Sequence, residues 1–141
     1  MFSLGMLVFV ACDKDDDDHD HDDPKTELDY EAHIHSPDTE AKRVDDMIHL
    51  HVEFHEHDGG TVHHVNVKIY EDGNPDNVIY DAPSEAHVHA EGTFEHHADF
   101  MLNVANGVEG HTDWVIEAKV WGHEAGAHEA ITTSKFHVHP N

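Results

Sequence analysis

Cysteine is almost missing from this sequence: Cys12 stands alone among 141 residues, so no disulfide can form within the chain. Basic residues are scarce as well. Seven Lys and Arg stand against 31 Asp and Glu, a formal charge of -24 at pH 7 that excludes nucleic acid as a partner and favours cations. The apolar run of residues 1–12 falls far short of the roughly 20 residues a membrane-spanning helix needs. No stretch sustains an apolar period of 3.6, so helix is expected only as a turn or two over 40–47. No Ser-His-Asp arrangement, phosphate loop or spaced pair of catalytic acids stands out, and catalysis is not expected.

What the chain does have is histidine, 19 of them, and they are ordered. Six His-x-His pairs occur, at 19/21, 33/35, 49/51, 55/57, 87/89 and 137/139, with doublets at 63/64 and 96/97. On a strand, residues i and i+2 share a face about 6.6 Å apart, so both imidazoles can swing onto one ion at about 2.0–2.1 Å.

The surrounding pattern is that of strands. In residues 47–57, Ile48, Leu50, Val52 and Phe54 alternate with His49, His51, Glu53 and His55, an apolar face against a face of metal ligands. Leu28 to Ile34 alternates in the same way and ends at Ser36-Pro37-Asp38. Asp58-Gly59-Gly60 predicts a hairpin into residues 62–70, with Val65, Val67 and Ile69 inward. A short edge at Val78-Ile79-Tyr80, strands over 85–91 and 94–104, the alternation of Trp114, Ile116, Ala118 and Val120, and a last strand over 131–139 complete the set. With 38% hydrophobic residues the chain can bury one modest core. The fold class expected is all-β: a single antiparallel sandwich of seven or eight strands with Greek-key connections over residues 27–139.

Three resemblances add to this. Ala11-Cys12 after the apolar run resembles a bacterial lipobox, which implies a signal peptide over 1–11 and a lipid-modified Cys12. The acidic stretch that follows, completing a disordered segment over 12–26 with His19 and His21, is similar to the export signal of Bacteroidota surface lipoproteins. That implies an outer-membrane, lipid-anchored protein facing the cell surface or the periplasm. Ser36-Pro37-Asp38, the Asp58-Gly59-Gly60 turn into Val65 to Tyr70, and Gly110 ahead of Trp114 to Val120 resemble bacterial immunoglobulin-like and cadherin-like repeats. Phe136-His137-Val138-His139 resembles a strand of the copper-zinc superoxide dismutases, but that family's paired cysteines are absent here.

In an immunoglobulin-like order the strands over 27–35, 45–57, 85–91 and 94–104 share one sheet. Its outer face then carries His33, His35, His49, His51, His87, His89 and His97, with Asp99 and Glu31 nearby. His33 is expected opposite His49, making His33, His49 and His51 the leading triplet. A smaller cluster is expected from His64, His123, His137 and His139 on the other sheet, split between its ends, while His63, His96 and His111 are read as structural. Imidazole ligands without thiols favour Zn(II), Cu(II), Ni(II) or Co(II), with zinc the conservative choice. The expected function is capture, buffering or delivery of a divalent transition metal, with a metal importer or surface protein as partner. The competing reading is a surface adhesion or interaction module with a solvated histidine and acidic surface.

Overall fold

The computed structural model describes residues 29–83, 85–123 and 128–141. The signal segment, Cys12 and the acidic tether lie outside them. Among the described residues no helix is long and apolar enough to cross a membrane.

The described residues form nine strands: β1 (Tyr30–Ser36), β2 (Lys42–Arg43), β3 (Met47–Glu56), β4 (Thr61–Glu71), β5 (Asn74–Ala82), β6 (His87–Glu91), β7 (Thr93–Met101), β8 (Thr112–Trp121) and β9 (Glu129–His139). They form an all-β sandwich of two sheets. One has the order β1-β3-β7; the other runs β2-β9-β8-β4-β5, with β6 also pairing β4. All pairings are antiparallel except β2 with β9.

The core lies where the inner faces meet. Leu50, Val52 and Phe54 of β3 are fully buried against Val65, Val67 and Ile69 of β4 and the inward Trp114, Ile116, Ala118 and Val120 of β8. Burying a side chain of this size stabilises by about 1.5–3 kcal/mol, enough summed over two sheets to fix which face of each strand looks out. Because the period is two, fixing the inner face of β3 commits His49, His51, Glu53 and His55 to the outer one.

Five sequence expectations are corrected. Asp58-Gly59-Gly60 does not close a hairpin within one sheet; it carries the chain from β3 in the smaller sheet to β4 in the larger. The buried Glu56 carboxylate organises this corner, accepting hydrogen bonds from the amides of Asp58 (3.1 Å) and Gly60. The strand expected over 85–91 does not join the smaller sheet, because a second corner at Gly92, in the left-handed region at φ 71°, changes sheets between β6 and β7. The two corners brace each other, the Gly92 amide donating to the Gly60 carbonyl at 3.2 Å and the Glu56 amide to the Gly92 carbonyl at 2.9 Å. Residues 40–47 are not helical: they hold β2 and a turn in which the Asp46 carboxylate accepts from the Arg43 amide at 2.8 Å. The edge expected at 78–80 is longer, as β5, and the strand expected to reach 104 stops at Met101, before a 3-10 turn over Val104–Asn106 capped by Asn103.

Candidate metal centres

The outer face of the β1-β3-β7 sheet carries rows of imidazoles and carboxylates set by the pairing register. Across β3 and β7, His49 faces Asp99, His51 faces His97 and Glu53 faces Glu95; across β1 and β3, His33 faces Glu53 and Glu31 faces His55. His33 therefore lies four residues along β3 from its expected place opposite His49. The leading triplet does not form: His33 meets Glu31 at 2.8 Å, and its ring lies nearest those of His35 and His55.

A different partner reaches the centre. The β1–β3 register slips between Ile34 and Ser36, so two residues of β1 oppose one of β3, and His35 lands over His51 with ring centroids 4.6 Å apart. On the other side His97 stacks on His51 at 4.2 Å. Two ligand triads result, His35/His51/Glu53 and His51/Glu95/His97, each with one atom per residue within 4.8 Å of the others. Ligands held tetrahedrally at about 2.1 Å stand ~3.4 Å apart, so small side-chain rotations close either triad on one ion. Among the described residues, Nε2 of His51 is one of two buried side-chain polar atoms without a hydrogen-bond partner. Burial without a partner is costly for such a group, and a bound ion would satisfy it.

Two carboxyls on this face, Glu31 and Glu53, are held below the ordinary carboxylate range. A hydrogen bond from His57, at 2.8 Å, is the main influence keeping Glu31 below the usual carboxylate range, against some desolvation and with help from the charges of His33, His57 and His55. At Glu53 desolvation pulls upward, yet the hydrogen bond from His35 at 3.0 Å and the neighbouring imidazoles His55, His35 and His33 outweigh it and the carboxyl is also lowered. His49 binds Asp99 at 2.7 Å, and His97 Nδ1 lies 3.4 Å from His49 Nε2, linking the pair to the central row.

His87 and His89 are not on this face. Their strand β6 pairs with β4, which places them on the larger sheet, beside His63 and His64. His64 and His123 belong to the same patch, their rings 6.4 Å and 3.8 Å from that of His63. His137 and His139 stand apart at the other end of β8 and β9, with rings 4.6 Å from each other and His137 hydrogen-bonded to Asp113 at 2.7 Å. The smaller cluster is thus split between two ends of its sheet. His63, expected to be structural, lies outside the core instead; the signal in the sequence is the step of three from Val62 to Val65, both buried, which breaks period two. His96 does face inward, accepting at Nε2 from the Tyr80 hydroxyl at 2.7 Å.

No family model matches the sequence, and no curated protein matches it. Solved structures do. The CARDB domain of a Pyrococcus furiosus protein, crystallised in complex with di-metal ions, is 13% identical, with a TM-score of 0.51, covering 82% of this chain and 97% of that one. A solution NMR structure of the same domain is also 13% identical, with a TM-score of 0.47, covering 78% of this chain and 95% of that one. The likeness is one of fold: the chain is an immunoglobulin-like sandwich similar to CARDB domains.

Proposed function

We propose that this chain binds divalent transition metal, zinc foremost, on the outer face of the β1-β3-β7 sheet, as a non-catalytic protein for capture, buffering or delivery. One observation carries the reading: His51 belongs to both ligand triads, and its buried Nε2 makes no hydrogen bond, with Glu95 Oε1 3.5 Å away. The mixed nitrogen and oxygen set suits Zn(II), with Cu(II), Ni(II) and Co(II) as competitors for the same imidazoles. The di-metal ions are a property of the Pyrococcus furiosus domain; for this chain they make metal titration the natural first experiment. We further propose that Cys12 is lipidated and holds the domain at an outer membrane, where an importer or surface protein would receive the metal. The Ala11-Cys12 sequence and the acidic run after it support that placement.

A grooved enzyme site is not favoured. The triads lie on an open sheet face, and the groove beside it, about 290 Å³ and lined by Ser36, Asp38, Lys42 and His49, contains no residue of either triad. The interaction-module reading has its own support, because His33, His49 and His57 already find carboxylates. Zn(II) titration of the full chain against His51→Gln and His97→Gln separates the two. A bound equivalent that is lost with His51 supports the metal reading on this face, with His97 telling the two triads apart, whereas stoichiometry and affinity unmoved by either leave this face to the interaction module.

A further inference from the structure

The larger sheet carries a second cluster that shares no residue with the first and differs from it in chemistry. Two irregularities build it. In β4 the alternation breaks, Val62 and Val65 both entering the core while His63 and His64, though adjacent, stay outside it, and against this stretch β6 carries an extra residue between His87 and Ala90. In β6, His89 adopts φ 59°, a left-handed conformation uncommon for any residue but glycine. The result is convergence: ligand atoms of His63, His87 and His89 all lie within 4.8 Å of one another. Nδ1 of His63 is buried and has no hydrogen-bond partner.

We propose that His63, His87 and His89 form a second, all-imidazole metal site for a borderline d-block ion such as Zn(II) or Cu(II), with His123 as the adjacent fourth imidazole. The ring of His123 packs 3.8 Å from that of His63. His64 acts as a positioning residue: its Nδ1–H donates to the Gly122 carbonyl at 2.9 Å and its ring stacks on Trp121, fixing the chain just ahead of His123.

The donor set explains why this site should select differently from the first. Every triad on the smaller sheet includes a carboxylate, whereas among the described residues none of His63, His64, His87, His89 and His123 forms an ion pair. Hard cations such as Ca(II) and Mg(II) require oxygen ligands, so a nitrogen-only site offers them nothing. Burial, and then the charges of His123, His89, His64 and His87, push the His63 imidazole below its ordinary value.

Co(II) is the probe, because tetrahedral nitrogen-rich Co(II) absorbs visible light far more strongly than the octahedral ion. It is added to the full chain, to a His63→Gln/His89→Asn variant and to a His51→Gln/His97→Gln variant; asparagine is chosen at 89 because it tolerates positive φ. The strong band is expected in the full chain and in the second variant, undiminished by excess Ca(II). Adding His63→Gln and His89→Asn to the second variant should abolish it, whereas the first variant alone keeps the part contributed by the smaller sheet. Should that combination fail to fold by circular dichroism, His87→Gln at its exposed position, added to the second variant, gives the same reading. No strong band in the full chain, or a band in the second variant that survives further loss of His63 and His89, or of His87, overturns the proposal. A band lost only with His51 and His97 also overturns it and assigns the absorbing ion to the smaller sheet.

Discussion

The imidazole of His51 lies against that of His97 with centroids 4.2 Å apart and planes 20° from parallel, across directly paired positions of β3 and β7. His49, one step along the same face, is engaged by Asp99 and belongs to neither triad. His51→Gln should therefore weaken metal binding on this face by at least about tenfold, as removal of even a supporting residue commonly does. His49→Gln, which removes only a support of His97, should weaken it less. Competition with a chromogenic chelator measures both.

Acid should destabilise the metal-free protein, in a window set by His96. Burial first, and His97 second, hold its imidazole below the ordinary value of 6.5, so the unfolded chain takes up a proton that the folded chain resists. Stability contributed by the neutral ring is present above the unfolded value and is lost as pH falls through the lower, folded one. Glu31 and Glu53, also lowered, extend the loss further into acid, below their ordinary value of 4.5. Thermal unfolding in the presence of chelator, followed downward from neutral pH, should show a falling midpoint, and His96→Phe should flatten the part of the slope just below pH 6.5. A slope unchanged by that substitution would remove His96 as its source.

At the first corner, Glu56→Ala leaves the Asp58 and Gly60 amides without their buried acceptor. Hydrogen bonds to a charged group are worth about 1.5–3 kcal/mol, and a loss of that order is expected in urea unfolding. Glu56→Gln keeps an acceptor oxygen and should recover part of it.

Gly110→Ala tests a close approach rather than a backbone conformation. A Cβ at this position would stand 2.7 Å from the Pro140 nitrogen and 2.8 Å from its Cα, which are backbone atoms with little freedom to retreat. Overpacking of this kind costs about 1–3 kcal/mol. The cost should appear as lower thermal stability, with metal stoichiometry on the β1-β3-β7 face unchanged.

The inner faces were legible because burial writes them directly into the sequence: Leu50, Val52 and Phe54, or Trp114, Ile116 and Ala118, recur at period two and are buried. The outer face of β3 was legible for the same reason. Sheet membership was not. β6 is short, with alternating exposed and half-buried positions, and nothing in His87 to Glu91 distinguishes pairing with β4 from joining β7. Only the corner at Gly92 decides it, through backbone hydrogen bonds that any sequence with the right turn can make. Register was hidden likewise, since the slip at His35 depends on how β1 meets β3 and not on β1 alone. The triads follow from those two facts, so single histidines were visible as ligands long before their partners were.

The corners at Gly60 and Gly92 also place the two histidine clusters on different sheets. On the smaller sheet each triad offers three ligand atoms, one fewer than a tetrahedral ion takes, so an ion held there would keep a position open to water or to a neighbouring molecule, whereas the proposed larger-sheet site has His123 as its fourth imidazole. An open position on one face only would join two copies through that same face, an arrangement that closes as a symmetric pair. A sedimentation coefficient that rises from one copy to two with added ion and returns with chelator is the behaviour that would follow from it.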